Sequence, residues 1–161
     1  MSDRAPVSRV GVTYLTFDKI NPGDFLAVLN SDKVREHLIA HDRFTLESVT
    51  AWMASKIAID QEQGCRIRAV VVGGQLAGWC GIQREGDQHE LAIILGDASW
   101  GLGRRLFQDL MRWADELNHD VVYINLLHTR PRYQFLIKRA IAVTESSFLG
   151  ESFTRYALKV R

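Results

Sequence analysis

The hydrophobic residues of this chain fall into short runs and helical repeats that predict a mixed α/β protein. Residues 10–17 are mostly β-branched and aromatic, which is typical of a strand. Three further apolar runs are separated by two-residue glycine turns: residues 66–72, 75–83 and 89–95, with Gly73-Gly74 and Gly86-Asp87 between them. Turns of this kind need positive φ and connect antiparallel strands. The pattern therefore predicts two consecutive hairpins.

The stretch from residue 91 to residue 117 combines three signals without a break. Residues 91–95 are apolar throughout, as in a buried strand, and residues 96–103 contain three glycines, as in a turn with unusual backbone geometry. Apolar residues then recur on one helix face: Leu102, Leu106, Leu110, Met111, Ala114 and Leu117. The first N–H groups of a helix lack internal partners and lie at its positive end, so this order predicts a phosphate or pyrophosphate site.

The remaining segments complete the predicted fold. Residues 21–24 predict a turn followed by one or two short helices, and Thr45 can cap a helix that runs to residue 59. Later elements are a strand at 121–127, a short helix at 131–139, and strands at 142–148 and 153–160. The strand after the glycine helix can return parallel to the third hairpin strand. We predict an α/β fold of the α+β type. It is one domain over residues 1–161, with a mixed, mostly antiparallel sheet of six or seven strands and about four helices.

Composition limits the class of protein. The 161 residues are 47% hydrophobic and 24% charged with a net charge of +1, which gives no indication of a nucleic-acid or membrane-surface partner. The first ten residues lack the apolar core of a signal peptide, and no apolar run is long enough to span a bilayer. Cys65 and Cys80 form neither a disulfide framework nor a metal site. We expect a cytoplasmic protein without a metal, a DNA partner or a membrane.

Two common glycine loops do not fit residues 96–103. A dinucleotide-binding fingerprint needs a third glycine where Leu106 stands and an acidic residue about twenty positions later, but residues 121–127 are non-acidic. A P-loop needs Gly-Lys-Ser or Gly-Lys-Thr, whereas Gly101 here precedes Leu102 and Gly103. The glycines therefore need another explanation.

Two segments at fixed spacing resemble the GCN5-related N-acetyltransferase (GNAT) superfamily, in the branch that includes acetyltransferases of ribosomal-protein N-termini. That branch has a strand close to E-I-G-Y-W-L and then a loop ending in W-G-x-G. The matching segments here are Glu90-Leu91-Ala92-Ile93-Ile94-Leu95 and Trp100-Gly101-Leu102-Gly103. Residues 30–38 and 47–52 resemble the branch's substrate-side helices. The order of elements is similar along nearly the whole chain, which implies the acyl-CoA N-acyltransferase fold.

The resemblance implies acetyl-CoA as the acyl donor and an amine as the acceptor. The pyrophosphate would lie on the loop and the helix start: Ser99, Trp100, Gly101, Leu102, Gly103, Arg104 and Arg105. Trp100 either packs beneath this loop or contacts the ligand, and one of the two arginines either adds charge or faces solvent. The backbone of Ile93, Ile94 and Leu95 would pair with the pantetheine arm. A backbone N–H there would also stabilise the developing oxyanion.

Three side chains are candidates for proton transfer. Glu90 stands where some members of the superfamily have a base, and His128 closes the strand that follows the glycine helix. Many members have a tyrosine where this chain has Leu136, and Tyr133, three residues earlier, is the candidate acid. Each of the three has a structural alternative, as a surface or packing residue.

The resemblance leaves the function open among three classes. The leading hypothesis is direct acetyl transfer to a primary amine, either in a small molecule or at a peptide or protein N-terminus. A non-catalytic acyl-CoA-binding regulator would fit the leucine at position 136. A toxin that acetylates aminoacyl-tRNA would fit the basic C-terminal third of the chain. Relatives also form homodimers, so the resemblance allows a homodimer here.

Overall fold

A seven-stranded sheet forms the centre of the computed structural model, which describes residues 11–36, 42–96, 101–130 and 133–161. Its strands are β1 (Val12–Leu15), β2 (Arg66–Val72), β3 (Gln75–Glu85), β4 (Gln88–Leu95), β5 (Val121–Leu127), β6 (Ala140–Phe148) and β7 (Glu151–Lys159). They lie side by side in the order β1-β2-β3-β4-β5-β7-β6. Every pair is antiparallel except β4 with β5. The mixed, mostly antiparallel sheet and the two predicted hairpins are confirmed.

In the described residues, five α-helices cover the sheet: α1 (Pro22–Leu29), α2 (Asp32–Glu36), α3 (Leu46–Asp60), α4 (Gly103–Glu116) and α5 (Gln134–Arg139). The predicted cap of α3 is confirmed, because the Thr45 hydroxyl accepts from the Ser48 N–H at 3.1 Å. The Ser48 hydroxyl accepts in return from the Thr45 N–H at 2.8 Å. This reciprocal pair satisfies two N–H groups at the helix start, so local sequence fixes where α3 begins.

A hydrophobic core lies on each face of the sheet because the strand side chains alternate between the faces. On one face α4 and α5 pack against the central strands, and the buried residues include Leu106, Leu110, Val122, Ile124, Leu136, Tyr156 and Leu158. On the other face α1, α2 and α3 pack against β2 and β3, with Phe17, Phe25, Val34, Val49, Met53, Ile67 and Trp79 buried. The sheet therefore separates two hydrophobic cores, and different helices cover each of them.

The last two strands form a hairpin in which the second strand, β7, lies nearer the centre of the sheet than the first strand, β6. β7 pairs with β5 from Val121↔Lys159 to Leu127↔Phe153, while β6 pairs only with β7 and forms one edge of the sheet. β7 takes the inner position because more of its side chains are buried than those of β6. Tyr156, Ala157 and Leu158 are buried in β7, whereas most of β6 is exposed. β7 thereby contributes side chains to the centre of the sheet.

A buried carboxylate attaches α4 to the sheet edge at β1. Asp109 is 7% exposed and accepts a hydrogen bond from the Tyr14 hydroxyl. It also pairs with Arg105 at 3.5 Å and with Arg112 at 3.2 Å. Burial, followed by the hydrogen bond to Asp109, raises the pKa of Tyr14, so the phenol stays a donor. These contacts fix the rotation of α4 about its axis.

Three further features concern the class of protein. No helix in the described ranges is long and apolar enough to cross a membrane. Among the described residues, no group of three or more His, Cys, Asp or Glu side chains is arranged to hold a metal ion. Cys65 and Cys80 are buried and unbridged, and burial raises the pKa of the Cys80 thiol.

Candidate active site

An opening separates β4 from β5 in the middle of the sheet. The two strands pair only at Glu90↔Tyr123 and Leu91↔Ile124. Beyond these pairs β4 stays with β3 as far as Leu95, and β5 stays with β7 as far as Leu127. The parallel strands therefore diverge toward their C-terminal ends, and ligands of open α/β sheets gather at such ends.

The backbone of β4 turns particular groups toward this opening. The N–H of Gly96 donates to the carbonyl of Ala77 at 2.9 Å, so these residues are a hydrogen-bonded pair. Hydrogen-bonded and non-hydrogen-bonded pairs alternate along antiparallel strands. Ile94 therefore directs its N–H and C=O toward β3, while those of Ile93 and Leu95 face the opening. The opening has donors and acceptors on one wall that a ligand amide can satisfy.

The first turn of α4 is the next described segment of the chain after β4. Gly101 has φ of +90°, a conformation that other residues rarely adopt, and an added Cβ there would meet nothing within 4 Å. Leu102 is fully buried, and its carbonyl accepts from the Leu106 N–H at 2.9 Å. Leu102 is the N-cap residue, and a leucine side chain cannot accept a hydrogen bond, so it satisfies none of the first N–H groups of α4. Gly103 begins the helix and also faces open space.

A basic groove continues from this helix start to α5. A cavity of about 520 Å³ is lined by Arg104, Gln134, Phe135, Lys138 and Arg139. The Arg104 guanidinium lies 5.6 Å from the centre of the Phe135 ring. Three cations beside an aromatic ring suit a ligand that carries phosphates and a planar base.

Glu90 lies at the closed end of the opening, on the sheet face opposite α4. One carboxylate oxygen accepts from the Gln83 amide at 2.8 Å, and the other accepts from the Asn125 amide at 3.0 Å. Burial raises the pKa of Glu90, the Gln83 amide lowers it, and Glu85 raises it. The net shift is upward, toward the range in which a carboxylate works as a base near neutral pH.

Comparison with solved structures identifies the architecture. A Bordetella pertussis protein assigned to the GnaT family of acetyltransferases matches with a TM-score of 0.73 at 15% identity, covering 91% of this chain and 94% of that one. The apo structure of RimL, named as the ribosomal L7/L12 alpha-N-protein acetyltransferase, matches at 0.72 and 13% identity, covering 96% and 92%. YncA of Salmonella typhimurium, solved with its cofactor acetyl-CoA, matches at 0.63 and 14% identity, covering 95% of each chain.

The chain has the GNAT fold. The similarity is one of structure, since no family model and no curated protein matches the sequence. The fold expected from the resemblance is therefore confirmed over nearly the whole chain.

Within the GNAT fold, the structure brings most of the predicted cofactor residues to one place. Ile93 and Leu95 face the opening, whereas the backbone of Ile94 is directed toward β3. Gly101, Leu102, Gly103 and Arg104 lie at the helix start beside the basic groove. Arg105 points elsewhere, since its guanidinium pairs with Asp109 at 3.5 Å. Ser99 and Trp100 lie outside the described residues.

The three candidates for proton transfer are not brought together as one cluster. His128 lies five residues beyond Tyr123, the partner of Glu90, which corresponds to about 16 Å along β5. Its ring is 54% exposed and pairs with Glu151 at 3.3 Å. The predicted start of the last helix at residue 131 is wrong, because α5 begins at Gln134 and Tyr133 is its N-cap residue. Tyr133 has an extended backbone at the N-cap, and its ring packs on Phe135 at 5.5 Å.

Sequence reasoning missed the side chains that surround Glu90. Gln83 and Asn125 hold its carboxylate, and Lys56 and Arg155 contact those two amides in turn. Side chains alternate between the faces of a strand, so Gln83 and Asn125 lie on the same face as Glu90. This alternation could have identified them in the sequence once the pairing of β3, β4 and β5 was known. No local sequence pattern indicates that Lys56 and Arg155 belong to this network, because they reach it only through tertiary contacts.

Proposed function

We propose that this chain transfers the acetyl group of acetyl-CoA to a primary amine. The observation that carries the proposal is the opening between β4 and β5, which leads to the first turn of α4, where the N-cap residue Leu102 offers no side-chain acceptor. An extended ligand with amides at one end and phosphates at the other suits this combination. YncA, whose structure contains acetyl-CoA, supports the same choice through its shared fold.

The described residues fit the parts of acetyl-CoA in order. The backbone of Ile93 and Leu95 would pair with the amides of the pantetheine arm. The N–H groups at the start of α4 would bind the pyrophosphate, and Gly101 lets the backbone turn toward it. Arg104, Lys138 and Phe135 would hold the remaining phosphate and the adenine. When bound, acetyl-CoA supplies a thioester carbonyl and a thiolate leaving group.

Glu90 would take a proton from the acceptor amine, directly or through one water. Each carboxylate oxygen has one amide donor, which leaves lone pairs for this proton. An N–H of β4 that faces the opening would stabilise negative charge on the carbonyl oxygen, an effect worth about 3 kcal/mol. Tyr133 would return a proton to the sulfur. The amine nitrogen forms a bond to the carbonyl carbon as the carbon–sulfur bond breaks, and the transfer needs no covalent enzyme intermediate.

The class of acceptor is part of the proposal. The name of RimL specifies a protein α-amine, and the free lone pairs of the Glu90 carboxylate at the closed end of the opening would accept a hydrogen bond from an amine. We propose either a peptide N-terminus or a small primary amine. The buried free thiols of Cys65 and Cys80 suit a reducing cytoplasm, where we place the protein.

One observation favours a second function, a regulator that binds acyl-CoA without turning it over. Leu136 is 1% exposed and belongs to the hydrophobic core, so that position supplies no proton to a thiolate. The regulator differs from the enzyme in a measurable way, since it would bind acetyl-CoA and release no thiol.

The test is acetyl-CoA-dependent thiol release in the presence of an amine panel. The panel contains peptides with free and blocked N-termini, polyamines, amino acids and aromatic amines. We expect release with at least one unblocked amine and a product heavier by one acetyl group in mass spectrometry. Binding of acetyl-CoA without release from any amine would establish the regulator instead. An absence of binding would exclude both functions.

A further inference from the structure

The carboxylate of Glu90 is held by two side-chain amides that come from different strands. Gln83 on β3 donates to one oxygen at 2.8 Å, and Asn125 on β5 donates to the other at 3.0 Å. A side-chain amide has a donor end and an acceptor end, and it can turn over to exchange them. Something must keep the donor end of each amide toward Glu90.

Lys56 determines which end of the Gln83 amide faces Glu90. Its ammonium donates to the Gln83 oxygen at 2.7 Å. An ammonium has no acceptor, so Gln83 must present its oxygen to Lys56 and its NH2 group to Glu90. The ammonium also lies 4.7 Å from the centre of the Trp79 ring, which holds the long side chain in place. Burial lowers the pKa of Lys56, while the charge of Glu90 raises it.

Arg155 has the same relation to the Asn125 amide. Its guanidinium donates to the Asn125 oxygen at 3.3 Å and stacks on Tyr123 at 4.2 Å. A guanidinium likewise has no acceptor, so the NH2 group of Asn125 must face Glu90. Arg155 also pairs with the Glu85 carboxylate at 3.6 Å. A cationic side chain thus donates to the oxygen of each of the two amides.

We propose that Lys56 and Arg155 are positioning residues, which orient the Gln83 and Asn125 amides so that both donate to Glu90. The consequence for catalysis rests on the proposed function. With both donors fixed, the carboxylate keeps one rotamer and one set of free lone pairs directed at the acceptor. If Lys56 is lost, Gln83 can turn its oxygen toward a carboxylate oxygen, and the ionised form of Glu90 loses a donor.

The charged groups that face Glu90 determine the direction of the expected change. They are Lys56 from α3, Glu85 from β3 and Arg155 from β7. Removal of a cation or of an amide donor disfavours the ionised form, so the pKa of Glu90 rises. A base with a raised pKa needs a higher pH to be active.

The experiment compares Lys56→Met and Arg155→Met with Lys56→Arg and Arg155→Lys. The primary readout is the titration of the Glu90 side-chain carboxyl carbon by NMR, which needs no enzymatic activity. We expect each Met variant to shift this titration upward by about one pH unit, and each conservative variant to restore most of the shift. The acid limb of kcat/KM for the amine should move with it, while the Kd of acetyl-CoA stays the same. Lys159→Met, on the exposed end of β7, is the charge-removal control.

A double-mutant cycle separates orientation from simple charge. If Lys56 acts through the Gln83 amide, then Lys56→Met has little further effect on the Glu90 titration in a Gln83→Ala background. Full additivity of the two changes would mean that Lys56 acts only through its charge, and it would overturn the proposal. An unchanged titration in both Met variants, with folding intact, would also overturn it. If no amine is acetylated yet these shifts appear, the proposed function fails and the positioning role stands.

Discussion

The two sides of the opening present different kinds of chemical group. On the α4 side, the groups that face a ligand are mainly backbone N–H groups, freed by Gly101 and by a strand that leaves its neighbour. On the opposite side, the groups are side chains from β3, β4 and β5, oriented by Lys56 and Arg155. A site made of backbone groups keeps its shape when side chains are substituted, so it continues to bind the same ligand. A site made of side chains can be altered by substitution to suit a different acceptor. In the function that we propose, the acetyl donor would therefore bind on the first side and the acceptor on the second.

The largest effect is expected on the side-chain side. Glu90→Gln removes the proposed base, so kcat should fall about 100-fold or more, while the Kd of acetyl-CoA stays unchanged. The wild-type rate should rise with pH because only ionised Glu90 accepts a proton. Its midpoint should lie above the ordinary value for glutamate, since burial raises the pKa of Glu90. Steady-state rates across the acidic and neutral range measure both effects. A variant with an unchanged rate and the same pH profile would remove Glu90 from the mechanism.

On the backbone side, Gly101→Val should weaken acetyl-CoA binding about 10- to 100-fold. A β-branched residue held at φ of +90° costs about 1–3 kcal/mol, and each 1.4 kcal/mol corresponds to a factor of ten. Calorimetric titration measures the change. Gly150→Val is the matched control, since Gly150 has φ of +79° in the β6–β7 turn and also faces open space. Equal losses in the two variants would show that the effect is general strain rather than damage to the site.

How much of this contrast is visible in the sequence depends on the range of the contacts. The amphipathic helix and the Thr45 cap are local, so the pattern around residues 91–117 predicted β4 and α4. The position of β7 between β5 and β6 depends on strand pairing across the sheet, which the hydrophobic pattern of a hairpin does not specify. The Glu90 network joins residues from position 56 to position 155, so it requires the tertiary structure.

A smaller effect is expected in the basic groove. Arg104→Ala and Lys138→Ala should each weaken acetyl-CoA binding about three- to tenfold at low salt, and less at high salt, because charge pairs near the surface are screened. Titration of coenzyme A and its 3′-dephospho form shows whether the extra phosphate lies here. The variants should bind the dephospho form almost as well as the wild type does. Lys159→Ala is the control, and a loss equal to that of Lys138→Ala would indicate a nonspecific charge effect.

The smallest effect concerns stability at the start of β4, where His89 directs its side chain to the sheet face opposite that of Glu90. The His89 ring lies 4.4 Å from the His119 ring, and Glu62, the Gln63 backbone and Arg84 lie nearby. Burial, followed by the neighbouring His119, lowers the pKa of His89. The folded state therefore disfavours protonation. Its contribution to stability is present above the unfolded pKa of about 6.5 and is lost as the pH falls below that value.

We expect the Tm of the wild type to fall over this acidic range and the fall to be shallower in His89→Phe. Thermal unfolding followed by circular dichroism at several pH values measures the difference. The Kd of acetyl-CoA near neutral pH should be the same in both proteins. Identical pH dependence of Tm would show that another group carries the acid sensitivity.

We expect acetyl-CoA to lie in the opening between β4 and β5, along the edge of β4. Amide hydrogen exchange, measured by NMR with and without acetyl-CoA, tests this position of the ligand. Because the N–H groups of Ile93 and Leu95 face the opening and that of Ile94 bonds to β3, the ligand should slow exchange at Ile93 and Leu95 and leave Ile94 nearly unchanged. Binding that leaves all three amides unchanged, or no binding at millimolar ligand, would contradict this position of acetyl-CoA.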